Sequence, residues 1–136
     1  MQITSLEQLQ AIKQTEIVEL PSFEDGTPFV AEVKKPNMMQ LLTSGKIPNT
    51  LLSVATEMFN GRTNQVMGKA AEDVKTLKEL VGIMEVLAEA SLVKPAYKDI
   101  KGVNIQLTEH QLMALLTYSQ GGVKALENFR NQQANN

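Results

Sequence analysis

The chain has 136 residues, no Cys, no Trp, one His and a formal net charge of −2. Those counts exclude disulfides, thiolate metal sites, cysteine nucleophiles and any centre that needs two imidazoles. With 43% hydrophobic and 21% charged residues the composition is that of one ordinary globular domain, and seven Met against 4% aromatics favour an adaptable aliphatic interior.

The first expected element is a short helix over residues 4–13. Thr4 or Ser5 can cap it, with Glu7 or Gln8 as the capping-box partner, and Leu6, Leu9 and Ile12 share one stripe. A hairpin follows. Residues 15–20 and 27–33 alternate in polarity, with Phe29, Ala31 and Val33 on one face, and residues 24–26, Glu-Asp-Gly, supply the turn. Pro28 lacks a donor and belongs at a strand start or an edge. An isolated hairpin is marginal in water, so it must lie on the helices that follow.

Pro36 opens a third segment. Met38, Met39, Leu41 and Leu42 read as a short apolar helix ending at Gly45. Asn49 is an expected N-cap for a helix over residues 50–60, closed by Gly61. Its apolar positions Leu51, Leu52, Val54, Ala55, Met58 and Phe59 are too broad for a surface helix, which places it centrally or against a partner. Residues 61–70 are polar and lack periodicity. They read as a flexible connection between an N-terminal α+β half (1–60) and a C-terminal helical half (71–130).

The longest predicted helix spans residues 71–92. Val74, Leu77, Val81, Met84, Ala88 and Leu92 mark its face, broadened by Leu80 and Leu87, and Pro95 stops it. Residues 96–106 read as a polar connection plugged by Tyr97 and Ile100. Thr108 and Gln111 then form a capping box, Leu107 can staple to Leu112, and Leu112, Leu115 and Leu116 make the stripe. Gly121 and Gly122 break that helix. Val123, Leu126 and Phe129 mark a last short one, and residues 131–136 read as a frayed polar tail. The expected fold is α+β and mainly α-helical: an N-terminal β-hairpin packed on about five to six helices, in a single domain over residues 1–130.

Catalytic spacing is missing. His110 follows a cap and reads as exposed, Glu85 and Glu89 read as a solvated flank, and neither a phosphate loop, a nucleophile elbow nor a zinc spacing occurs. No cofactor or metal is expected. The helices around Gly121 and Gly122 permit a helix-turn-helix reading, but the second offers only Lys124 and Arg130 as cations, and phosphate neutralisation dominates nucleic-acid affinity. The longest apolar run is far below the ~20 residues of a membrane span. The opening residues show no basic stretch followed by an apolar one, so a cytoplasmic protein is expected. Met38, Met39, Met58, Met67 and Met84 read as core fillers, or as part of a plastic surface that receives an apolar helix. Met38, Met39, Leu42, Leu51, Leu52 and Phe59 are the candidates for such a surface.

Several segments carry a resemblance. Residues 27–36 read Thr-Pro-Phe-Val-Ala-Glu-Val-Lys-Lys-Pro, residues 38–42 Met-Met-Gln-Leu-Leu and residues 44–52 Ser-Gly-Lys-Ile-Pro-Asn-Thr-Leu-Leu. Residues 55–59, Val93-Lys94-Pro95, Leu107-Thr108 and residues 121–130 (Gly-Gly-Val-Lys-Ala-Leu-Glu-Asn-Phe-Arg) continue it. In this order, across residues 15–130, they resemble the tail assembly chaperones of long-tailed bacteriophages of Gram-positive hosts or their prophages. The Gly-Lys-Ile-Pro-Asn and Leu-Glu-Asn-Phe-Arg pieces are the most specific.

The resemblance implies a non-enzymatic assembly factor. It would bind the tape measure protein, keep that long helical chain soluble and promote polymerisation of the tail tube protein around it. It further implies self-association, action in the host cytoplasm and absence from the mature virion. Such proteins are made in a short and a frameshifted long form, and a chain ending in a polar tail soon after Arg130 would fit the short one. A different helical adaptor and a small helix-turn-helix regulator are the alternatives.

Overall fold

The computed structural model describes residues 1–134. In chain order it contains α1 (Leu6–Gln10), β1 (Glu16–Leu20), β2 (Phe29–Val33), α2 (Met38–Thr43), a 3-10 turn (Asn49–Leu51) and α3 (Leu52–Glu57). A π-type turn (Met58–Arg62), α4 (Thr63–Ala70), α5 (Val74–Ser91), β3 (Leu92–Lys94), α6 (Tyr97–Gly102) and α7 (Glu109–Ala134) complete it. The fold is α+β and mainly helical, as the periodicities predict.

The hairpin forms because its alternation matches the pleat. Val18 faces Ala31 and Leu20 faces Phe29 across the antiparallel register, and all four are buried. Gly26 turns the loop at φ 89°. The Thr27 N–H donates to Asp25 Oδ1 at 2.9 Å and holds that carboxyl below its ordinary pKa. Phe23 tilts over Phe29 at a centroid distance of 5.0 Å. β2 is central in the sheet order β1-β2-β3. β3 was not evident in the sequence. Its three residues gain strand geometry only by pairing, with Val33 opposite Leu92, and the Lys34 N–H donates to the Ser91 carbonyl at 2.8 Å beside it.

The buried sheet face meets α5 and α7, which also pack on each other. Leu80, Ile83, Leu87 and Ala88 of α5 and Leu112, Leu115 and Leu116 of α7 close the core. The α5 stripe departs from the expected one. Val74, Leu77 and Val81 stay exposed at 68%, 46% and 37%. The buried side runs through Leu80, Ile83, Met84, Leu87, Ala88 and Ser91. The first turns of α5 precede its first buried residue, so apolar spacing alone misplaced the face.

Four further expectations are corrected. The Asn49 side chain caps nothing, because Asn49 lies inside the 3-10 turn and the helix grows from that turn without a side-chain cap. Residues 63–70 form α4 instead of a bare connection; Val66 and Ala70 are buried and α4 packs on α5. Residues 97–102 form α6, with Ile100 buried and Tyr97 half-buried as anticipated. α7 continues to Ala134, so residues 131–134 of the expected tail are helical; Asn135 and Asn136 lie outside the described residues.

The caps at both ends follow the code. Ser5 and Gln8 make the capping box of α1, shorter than expected, and Leu6, Leu9 and Ile12 are exposed. Asn37 caps α2 by accepting from the Gln40 N–H at 3.0 Å. Thr108 and Gln111 make the reciprocal pair at α7. Gly122, at φ 78° and ψ −162°, kinks α7 where the sequence predicts a break. The uninterrupted part of that helix is shorter than α5 as a result.

Candidate methionine cleft

An apolar cleft of about 800 Å3 lies between α2, the π-type turn, α4 and α7. Met38, Met58, Met67 and Met113 line it together with Phe59 and Phe129. Each element delivers its methionine by helical spacing. Thr63 and Met67 stand one turn apart on α4. Met113, Leu116 and Gln120 follow one stripe of α7. Met58 is almost wholly buried and forms the floor, whereas Met38, Phe59, Met67, Met113 and Phe129 are half-buried. Flexible thioethers around a partly open apolar surface suit an occupant of variable shape.

The polar groups of the cleft gather at one point. The Gln120 amide donates to Thr63 Oγ1 at 2.8 Å and to the Met58 carbonyl at 3.4 Å. Thr63 Oγ1 itself donates to that carbonyl at 3.4 Å. The kink at Gly61 ends the helical path before α4, a helix end leaves its last carbonyls without a following turn to answer them, and Gln120 answers the Met58 carbonyl from across the cleft. Gly61 stands at φ 87°, where any side chain would be strained. Lys35 is the one charged residue in the lining.

Of the six residues expected to meet a partner, Met38 and Phe59 line this cleft. Met39 is 70% exposed and stands away from it. Leu42, Leu51 and Leu52 are half-buried against the core. Leu51 has a packing role, since a Cβ on Gly82 of α5 would come within 3.0 Å of Leu51 Cδ1. Met67, which the sequence offers as a core filler or as part of a plastic surface, joins the lining, and Met113, Gln120 and Phe129 are there without having been expected. The 113–116–120 spacing was there to be found beside the stronger Leu112–Leu115 stripe. Met84 is core.

A second depression of about 570 Å3 lies between the hairpin loop and residues 104–108, with Glu24 and Asp25 on its rim. It has fewer large apolar walls. His110, Glu85 and Glu89 are exposed. The Tyr97 hydroxyl is pushed above its ordinary pKa by burial and then by Glu85 and Glu89; Lys101 Nζ stands 5.5 Å from the centre of its ring. Among the described residues no group of three or more His, Asp or Glu is placed to hold a metal ion. No helix among them is long and apolar enough to cross a membrane. No family model, curated protein or solved structure matches this chain.

Proposed function

We propose that this protein is a non-enzymatic tail assembly chaperone of a long-tailed phage or prophage. It binds the tape measure protein, keeps it soluble and promotes tail-tube polymerisation around it. The reading rests on the ordered segment resemblance over residues 15–130. The methionine cleft is the observation that supports it.

A tape measure helix exposes apolar stripes, and its chaperone must cover them reversibly. Apolar burial supplies about 25 cal/mol per Å2 without demanding fixed geometry. A methionine-lined cleft therefore accepts many related stripes weakly, and repeated sites on one long client give occupancy through avidity. Phe129, from the distinctive Leu-Glu-Asn-Phe-Arg segment, stands in the wall of that cleft, while Ile47 of the Gly-Lys-Ile-Pro-Asn segment is buried in the core. Contacts with the tail tube protein, self-association, action in the host cytoplasm and absence from the virion belong to the same proposal.

The test is co-expression with the long helical protein encoded beside it, followed by size-exclusion chromatography with light scattering. The chaperone reading predicts rescue of the client's solubility and co-elution, both weakened by Met67→Gln and Met113→Gln. Neither rescue nor co-elution sinks it, and a general helical adaptor would then take its place. In the helix-turn-helix alternative Arg130 would face DNA, but its Nη2 lies 3.2 Å from Glu19 Oε1, which leaves Lys124 as the free cation of that helix among the described residues.

A further inference from the structure

The two halves of α7 are held very differently. Before the glycine pair, Gln111, Leu112, Ala114, Leu115, Leu116, Tyr118 and Ser119 are all buried. After it, Leu126 is the buried anchor, with Val123 and Phe129 half-buried. The remaining tether is the Arg130–Glu19 ion pair at 3.2 Å, with side chains 35% and 58% exposed. Water and salt screen exposed pairs of this kind, so the tether holds weakly.

The junction itself is built to bend. Gly122 adopts φ 78° and ψ −162°, a region essentially closed to other residues. A Cβ on Gly121 would lie 2.5 Å from Ala125 Cβ. Gln120, the last residue before the pair, is fastened to Thr63 and Met58 across the cleft. One side of the junction is thus fixed, and the other carries Phe129 and Gln132 into the cleft wall.

We propose that residues 123–134 form a displaceable wall of the methionine cleft, hinged at Gly121 and Gly122, which yields to a client helix of the same apolar spacing. This rests on the chaperone reading for the identity of the client. Val123, Leu126 and Phe129 recur every three residues, so the matching occupant is an amphipathic helix with large apolar groups at i, i+3 and i+6 or i+7, one of them aromatic. The chain's own segment is its stand-in. Because that segment is covalently attached, an incoming helix meets a competitor at high effective concentration. Single client segments bind weakly, and Phe129 keeps its place in the cleft wall when the client is absent.

The absence of Cys permits a direct test on the full chain. In a Glu19→Cys, Arg130→Cys variant a short bis-maleimide joins the two positions and pins the wall, and N-ethylmaleimide on both is the unpinned control. The probe is the apolar dye 1-anilinonaphthalene-8-sulfonate. Pinning should weaken dye binding about tenfold, as a lowered fraction of the open state requires. In the unmodified protein, amides of residues 123–134 should exchange about tenfold faster than those of residues 109–119. Glu19→Lys, which reverses the tether's charge without the double change, should speed exchange in residues 123–134 alone. Equal dye binding by pinned and control forms, or uniform exchange along α7, overturns the hinge. No tape measure protein enters these measurements, so a failed co-elution beside an intact hinge refutes only the client's identity.

Discussion

Gln111 Nε2 donates to the Pro21 carbonyl at 2.9 Å across 90 positions of sequence. The same side chain accepts from the Thr108 N–H at 2.9 Å, and the Gln111 N–H donates to Thr108 Oγ1 at 3.1 Å. One wholly buried amide therefore caps α7 and fixes the end of β1 upon it. The cap is local and the tie to Pro21 is tertiary, so both depend on a single residue.

Gln111→Leu removes the cap partner and leaves the Pro21 carbonyl unanswered, which should cost about 2 kcal/mol in urea unfolding. Gln111→Glu keeps the acceptor and loses the donor. Its carboxylate faces a carbonyl oxygen in a buried place, so its folded pKa rises above the unfolded one. The Glu variant should regain stability as pH falls from 7 to 4.5, and the Leu variant should not. Equal pH responses would show that the Pro21 contact carries no weight.

Two glycines should respond oppositely to alanine. Gly68 lies within α4, and a Cβ there meets nothing within 4 Å. Gly68→Ala should raise stability by about 0.5–1 kcal/mol. Gly122 holds a positive φ, and Gly122→Ala should lower stability by about 1–3 kcal/mol. Thermal unfolding of both variants against the parent measures the contrast.

Ser91 is the last residue of α5 and is fully buried, and its Oγ has no hydrogen-bond partner among the described residues. An unpaired buried hydroxyl carries an uncompensated desolvation penalty. Ser91→Ala should therefore raise stability by about 1 kcal/mol. Loss of stability on that change, measured by urea unfolding, would mean that the hydroxyl is satisfied in solution.

The protein should lose stability at alkaline pH. Burial raises the hydroxyl pKa of Tyr97, with Glu85 and Glu89 adding to it. Burial likewise raises that of Tyr118, with a contribution from Glu16. A folded pKa above the unfolded value of about 10 means that the folded state holds its proton longer. That stabilisation is complete below pH 10 and is lost as pH rises through the folded values. Tyr97→Phe should flatten part of the decline in unfolding free energy between pH 9 and pH 11; an unchanged slope would assign it to Tyr118 and other groups.

Local chemistry made much of the architecture legible. The hairpin, the Ser5–Gln8 and Thr108–Gln111 boxes and the break at the Gly121–Gly122 pair follow from alternation, capping and backbone freedom, each set within a few residues. The candidate site was only half legible. Met38 and Phe59 belong to apolar runs that stand out in the chain. Met113 sits beside a stronger leucine stripe, and Met67 lies in a polar segment whose helix is supported by burial of Val66 and Ala70.

By itself the sequence determined the hairpin with its turn, the capped starts of α1 and α7 and the break within α7, because caps, glycines and polarity periods act over one or two turns of chain. It also determined the chemistry that is impossible without Cys or a second His. Tertiary structure decided the rest. It chose which side of α5 is covered, since Leu77 and Leu80 are equally apolar and only packing on α7 and α4 separates them. It drew residues 92–94 into a third strand, because a three-residue strand has no existence without a partner edge. It gathered four methionines from separate helices around one cleft, for burial depends on what lies across space and not on what lies next along the chain.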